Sequence, residues 1–517
     1  MARYKPVDPH LSKLLAIRFS EQIQPGTFEY AVNWLVDHKI DASVFDRRYR
    51  NDVTGASAYD PRVLLKIVLL GYSRGLTSSR SLERACRENV VFMALSGDTQ
   101  PSWTTLASFV ARMPAEITPL FRDVLLVCDE SGLLSKEMFA VDGCKLPSNA
   151  SREWSGTKQE LREKAEKMEK AVAYLLDRHQ RQDRGTTEST LIEKERRQIE
   201  TLTQNSQKIR TWLDQNPERT NRRGQPLKSN LSDPDSAKMK TSHGVIQGYT
   251  GTAAVDAKSQ VIVHAQAFGT GSENALLPGI ISATREHFDA IGRTDPFEHA
   301  TVSADSGYHS EDTLQKLSEA GIEALIADTG FRSRDPRFHD AAKHRPKDQQ
   351  RAPGERRSKW FQPKDFAYDA DRQTCVCPAG QALKRSAAHA LIKGRLGVSF
   401  EGTKAQCGSC PLKAQCLRKP DVSPYRQVTF FHTQVAETHP HTQAMKAKID
   451  SREGRLQYSR RLGVVEPVFG NLHTHGLTRF TLRGRDKVDG QWKLFCLVHN
   501  VQKLQTVAGQ WGMPKAA

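Results

Sequence analysis

The chain has 517 residues, enough for several hydrophobic cores. Lys and Arg number 76 against 59 Asp and Glu, and the formal net charge of +17 favours a polyanionic partner, because each phosphate neutralised by a basic side chain releases condensed counterions. No apolar run approaches the length of a membrane span and the opening Met1-Ala2-Arg3-Tyr4-Lys5 lacks a hydrophobic signal core, so the expectation is a cytoplasmic protein with no membrane attachment.

Residues 1–135 read as helical. An apolar helix is predicted around Tyr30 to Val36, and a second begins at Asp60-Pro61, where Asp caps and Pro is tolerated at the first position; Val63 to Leu70 give it a buried face and Gly75 stops it. Further helices are expected from Ser79 to Arg87 and from Trp103 to Arg112. Short helices with scattered Arg fit a helix-turn-helix and equally a plain bundle used for oligomerisation. A strand ending at Asp142 follows. Leu161, Ala165, Met168, Val172 and Leu175 then recur at spacings of four and three, and Ile192, Ile199, Leu202, Ile209 and Leu213 resume the pattern after a break near Gly185. This predicts a helical hairpin with a narrow seam, whose charged flanks suit solvated faces, an intersubunit coiled coil or a DNA-backbone clamp.

Gly248 to Val255 and Gln260 to Phe268 are strand-like runs joined by the polar turn Asp256 to Ser259, which predicts an antiparallel hairpin. A helix from Asn274 to Phe288, a strand ending at Asp305, a helix from Glu311 to Ala320 and a strand from Ile322 to Ala327 complete the pattern. Residues 328–424 are rich in Arg, Lys, Pro and Gly; Phe331 to Phe338 and Arg351 to Lys359 fit either phosphate contact or solvated loop.

Three acids sit at the end or edge of apolar runs: Asp142 in Phe139-Ala140-Val141-Asp142-Gly143, Asp305 in Val302-Ser303-Ala304-Asp305-Ser306-Gly307-Tyr308, and Glu466 in the helical segment Arg461 to Phe469. Two strand-end acids and one helix acid can hold two divalent cations, Mg2+ or Mn2+, which activate water and stabilise a leaving oxygen in phosphodiester chemistry. Asp233, Asp235 and Asp256 compete as carboxylates, but their turn-like settings suit capping. Leu462, Val465, Phe469 and Leu472 are expected on one helical face beside Glu466, and Pro467, which cannot donate to the Gly463 carbonyl, is expected to kink the helix.

With these motifs the chain resembles bacterial insertion-sequence transposases that carry an Asp-Asp-Glu site in an RNase H-like domain, and most of all the insertion sequence eleven-eighty-two branch. The resemblance spans about Tyr59 to Leu504 and is most specific at Ala304 to Tyr308, Tyr249-Thr250-Gly251 and Glu466 to Asn471. Tyr458-x2-Arg461 matches the start of the signature around the last acid, although Arg461 lies one residue further from Glu466 than in that pattern and His473 stands where Lys is usual. The resemblance implies an α/β fold: an RNase H-like core (136–152, 231–327, 425–517) with a helical DNA-binding N-terminal domain (1–135), a helical-hairpin insertion (153–230) and a basic cysteine-rich insertion (328–424). It further implies catalytic, metal-binding Asp142, Asp305 and Glu466; DNA contacts from Tyr458, Arg461 and His473; double-stranded DNA partners, namely terminal inverted repeats and target; and a homodimer that brings two element ends together.

Five of the nine cysteines lie between Cys375 and Cys416. Cys377, Cys407, Cys410 and Cys416 form a thiolate set suited to structural Zn2+, with Cys375 as a competing ligand and four unbound thiols as the alternative. For the whole chain the alternatives to a transposase are a metal-dependent nuclease that cuts without joining, and a DNA-binding protein without catalysis.

Overall fold

The computed structural model describes residues 16–49, 51, 57–182, 189–220, 224–242, 244–338, 360–392, 395–431 and 439–508. It divides into two compact units, residues 1–326 with 455–517, and residues 327–454.

In the first unit, α1 (Phe28–His38), α2 (Pro61–Ser73), α3 (Ser79–Glu88), α4 (Val90–Ser96) and α5 (Trp103–Ala111) each begin with a side-chain cap, from Thr27, Asp60, Ser78, Asn89 and Ser102 respectively. Each cap satisfies a backbone N–H that the first turn leaves without a partner. A further helix, α6 (Ile117–Glu130), buries Leu120, Phe121, Val124 and Leu125.

The central sheet begins with β1 (Met138–Pro147). Two-residue strands β2 (Ser155–Gly156) and β3 (Ser229–Asn230) pair at the base of a long hairpin, α7 (Lys158–Gln182) and α8 (Ser189–Gln215). Its seam buries Leu161, Ala165, Ile209, Trp212 and Leu213 against Leu231, in line with the predicted spacing. The predicted break near Gly185 falls outside the described residues.

Then come β4 (Ala237–Thr241), β5 (Gly244–Asp256), β6 (Ile262–Phe268), α9 (Leu277–Ala290), β7 (Thr301–Ala304), α10 (Glu311–Glu319) and β8 (Glu323–Ile326). The strand order is β4-β5-β1-β7-β8, with β6 also on β5. β5 runs antiparallel to β1, β4 and β6, whereas β7 runs parallel to β1 and β8 parallel to β7. Asp256, at the end of β5, is fully buried and accepts from the backbone N–H groups of Ser135, Lys136 and Lys258, the turn-fixing role expected of it. Asp233 likewise accepts from the Tyr249 hydroxyl at 2.6 Å and from Gly484 N at 3.1 Å.

The second unit holds β9 (Ala367–Asp369), β10 (Thr374–Val376), β11 (Ala382–Ile392), β12 (Arg395–Glu401), α11 (Lys404–Gly408), α12 (Lys413–Cys416), β13 (Gln427–Phe431) and α13 (Pro440–Asp450). Its antiparallel sheet, order β13-β12-β11-β10-β9, covers a core of Phe366, Cys375, Leu383, Val398, Phe400 and Val428. In the basic stretch from Phe331 to Phe338, Arg334 pairs with Asp328 and Asp450 and Arg337 with Asp335, so these two guanidiniums already have carboxylate partners. The run Arg351 to Lys359 lies outside the described residues.

The chain closes with α14 (Arg452–Thr474) and α15 (Arg485–Ala508). α15 is buried along most of its length and packs on β6, α6 and α1, joining the helical layer to the sheet. Trp492 Nε1 donates to the Thr252 carbonyl at 2.8 Å, and the Asn500 side chain bonds both backbone groups of Ile262. α14 continues through Pro467, and the Gly463 carbonyl that this proline leaves without a helical donor accepts instead from Gln260 Nε2 at 3.1 Å. Its buried stripe is Tyr458, Arg461, Val465, Val468 and Leu472, whereas Leu462, expected inside, is exposed. The charged Arg461 takes the inward position because a carboxylate awaits it.

Candidate active site

Parallel pairing of β1 with β7 aligns Val141 with Ala304, so the next residue on each strand is an aspartate. Neighbouring strands lie about 4.8 Å apart, which places Asp142 and Asp305 side by side. The apolar run Phe139 to Val141 predicts a strand that closes at Asp142; β1 runs on to Pro147, because β5 pairs with it over its whole second half. β7 does stop at Ala304, and Asp305 turns the chain, its Oδ1 accepting from Gly307 N at 2.8 Å.

From α14, Arg461 Nη1 donates to Asp142 Oδ2 at 2.8 Å, while Asp142 Oδ1 accepts from Gly143 N at 2.8 Å. The Arg461 guanidinium lies 5.8 Å from the Tyr458 ring centroid, and both side chains are buried. Two of the three residues expected to touch DNA thus face the acids, and His473 is exposed. Glu466 is also exposed, and it is Arg461 that reaches Asp142 from this helix. Among the described residues, no group of three or more His, Cys, Asp or Glu side chains is arranged to hold a metal ion.

A further acid, Glu273, lies in the loop before α9. A methyl group added to Gly143 would lie 3.2 Å from Glu273 Oε1 and 3.3 Å from Tyr308 Oη. One added to Gly307 would lie 2.7 Å from Glu273 Oε2 and 3.0 Å from Asp305 Oδ1. The Glu273 carboxylate is therefore lodged between the glycines that follow the two aspartates. Lys145, on β1, approaches it at 3.8 Å.

Burial raises the Asp142 carboxyl above its usual range, Arg461 and the Gly143 N–H oppose the shift, and the Asp305 charge adds to it. Glu273 is pushed up to about 7, first by burial and then by Asp305 and Asp142, against the pull of Lys145. Burial also holds the Tyr308 phenol well above its usual value, with the same three carboxylates reinforcing it. These acids share one field, in which a neighbouring negative charge raises the proton affinity of a carboxyl. The donors are hard oxygens, which suits Mg2+ or Mn2+.

In the second unit, Cys377, Cys407, Cys410 and Cys416 line one cavity of about 30 Å3, together with Pro378 and Arg426. Burial raises the Cys416 thiol, Arg426 opposes this, and the other three thiols reinforce it. Cys375 is not among the cavity residues and lies buried in the apolar core, against which Cys377 and Cys416 also pack.

Residues 17–112 match the family described as Transposase domain (DUF772), and residues 376–505 match the family described as Transposase DDE domain. Both matches support an insertion-sequence DDE transposase. Such an enzyme carries out metal-dependent DNA cleavage and strand transfer. The second match contains Glu466 and the four cavity cysteines; Asp142 and Asp305 lie outside both matches. No curated protein matches the chain. None of its described helices is long and apolar enough to cross a membrane.

Proposed function

We propose that Asp142, Asp305 and Glu466 form the divalent-cation site of an RNase H-like core, and that the transposase uses it to cut at the terminal inverted repeats of its element and to join the freed 3′ end to target DNA. The observation that carries this reading is the parallel register of Val141 with Ala304, which sets two aspartates next to each other on a mixed sheet. The strand order β6-β5-β1-β7-β8, antiparallel on one side of β1 and parallel on the other, supports the RNase H-like assignment. Bound cations supply the activation of water and the stabilisation of the leaving oxygen. Asp142 and Asp305 offer carboxylate oxygens to them, and Arg461 holds Asp142 in place until they do. Glu466, exposed on α14, supplies the third carboxylate in this reading.

The N-terminal helices bind the element ends in this reading, His473 contacts a phosphate, and a homodimer holds the two ends together. In the second unit, Cys377, Cys407, Cys410 and Cys416 hold a structural Zn2+; their shared cavity supports this set over one that includes Cys375. The test is a precleaved duplex bearing the terminal repeat, supplied with Mg2+ and a second duplex. Joined product is expected from the wild type and none from Asp142→Asn, Asp305→Asn or Glu466→Gln, each still binding DNA. Cleavage without joining under every Mg2+ or Mn2+ condition would instead favour a nuclease.

A further inference from the structure

Glu273 belongs to none of the motifs on which the catalytic reading rests, yet its carboxylate lies closer to the two aspartate segments than any feature of the sequence suggests. It occupies the gap between Gly143 and Gly307, where a side chain on Gly307 would collide with it and one on Gly143 would press against it. Such crowding of acids is unfavourable without positive charge. Two protein cations now supply it, Arg461 on Asp142 and Lys145 near Glu273. A second observation is independent of the acids. The Tyr308 hydroxyl is fully buried, has no hydrogen-bond partner, and points at the same gap, 3.3 Å from where a Gly143 methyl would stand. Buried hydroxyls without partners are rare, and each calls for an explanation, a bound ion or an ordered water among them. A hydrated divalent cation would provide both what the carboxylates lack and what the hydroxyl lacks, a positive centre and an oxygen with which to hydrogen bond.

We propose that Glu273 is a further carboxylate of the divalent-cation site, acting with Asp142 and Asp305, and that the Tyr308 hydroxyl bonds an oxygen of the cation's hydration shell. This rests on the assignment of the two aspartates as metal ligands. Lys145 and Arg461 hold the acids together in the absence of metal and yield to it as it enters. The site thereby stays assembled, though charged, between reaction cycles.

The test is Mn2+ binding to full-length protein without DNA, followed by electron paramagnetic resonance, with Mg2+ as competitor and circular dichroism to verify folding. Glu273→Gln is expected to weaken Mn2+ binding about tenfold or more, the loss typical when a group supporting a metal site is removed, and Tyr308→Phe to weaken it less. Glu273→Asp keeps the charge and shortens the reach, and should fall between wild type and Glu273→Gln; it serves also if the glutamine variant fails to fold. Wild-type affinity in the Glu273 variants, with binding lost in Asp142→Asn and Asp305→Asn, would overturn the proposal and leave Glu273 as the ion-pair partner of Lys145. Wild-type affinity in the two aspartate variants would instead overturn the underlying assignment.

Discussion

Arg461 and Asp142, 319 residues apart in sequence, meet in an ion pair of 2.8 Å with side-chain exposures of 9 % and 23 %. Neither partner is fully hydrated, so removing one leaves the other poorly compensated. Arg461→Ala should destabilise the metal-free protein by about 2 kcal/mol, less than a fully buried pair because one edge of Asp142 reaches solvent. Saturating Mg2+ should recover part of that loss, since a ligand that binds only the folded state stabilises it by mass action. Urea titrations with and without Mg2+ measure both quantities. An equal loss in the two conditions would show that the arginine and the metal do not share Asp142.

Gln260 and Pro467 are coupled through one carbonyl. Pro467 removes the helical donor to Gly463, and Gln260 Nε2 replaces it at 3.1 Å. Gln260→Ala should therefore cost about 1 kcal/mol in the wild type, and less in a Pro467→Ala background, where the restored amide can donate to the same oxygen. A double-mutant cycle by thermal denaturation reads the coupling directly. Additive effects would mean that the side chain bond contributes nothing beyond its packing.

The helices and strands were legible where apolar residues recur at a fixed period: the seam of α7 and α8, the hairpin of β5 and β6, and the strands that lead to Asp142 and Asp305. What escaped depends on partners distant in sequence. Asp142 looked like a strand end because Gly143-Cys144-Lys145-Leu146-Pro147 is not an apolar run, and only its pairing with β5 extends the strand. The spacing points Leu462 inward because hydrophobicity alone cannot tell that Asp142 will face the helix and draw Arg461 into the buried stripe. Glu273 stands in the polar loop Gly271-Ser272-Glu273-Asn274, with no apolar frame to mark it. The choice between Cys375 and Cys377 was legible only in principle: the alternation of a strand sends Cys375 to the core, but the strand is three residues long.

Acid should weaken the fold through buried histidines. His499 accepts from Asn471 Nδ2 at its Nδ1 and donates from Nε2 to the Gln260 carbonyl, a pairing that requires the neutral ring. Burial lowers His499 to about 4 and His287 to about 4. Because the folded values lie below the unfolded value of about 6.5, the unfolded chain takes up protons first as pH falls. The stability these rings contribute is complete above about pH 6.5 and is lost on the way down to 4. Glu273, raised to about 7, works in the opposite sense between 4.5 and 7, so the total slope mixes the two. The comparison is therefore between wild type and His499→Gln. The variant should lose less stability than wild type between pH 7.5 and 5, by about 2 kcal/mol. Parallel curves would show that His499 titrates normally in the folded protein.

Cysteine substitutions should separate the cavity thiols of the second unit from its core thiol. Cys377, Cys407, Cys410 and Cys416 line the cavity, whereas Cys375 is 1 % exposed in the core beside Leu383 and Phe400. If the cavity holds Zn2+, the reduced protein should carry about one equivalent per chain. Cys410→Ser should lower that content and increase proteolysis within residues 327–454, since the binding free energy of a structural metal is folding free energy. Cys375→Ser should leave the zinc content unchanged and lower stability by about 1–2 kcal/mol, because it buries a hydroxyl in an apolar core. Metal analysis and limited proteolysis on the same preparations decide the matter. Zinc lost from Cys375→Ser and kept by Cys410→Ser would reverse the assignment, and zinc absent from freshly reduced wild type would remove the metal altogether and leave four thiols around an apolar cavity.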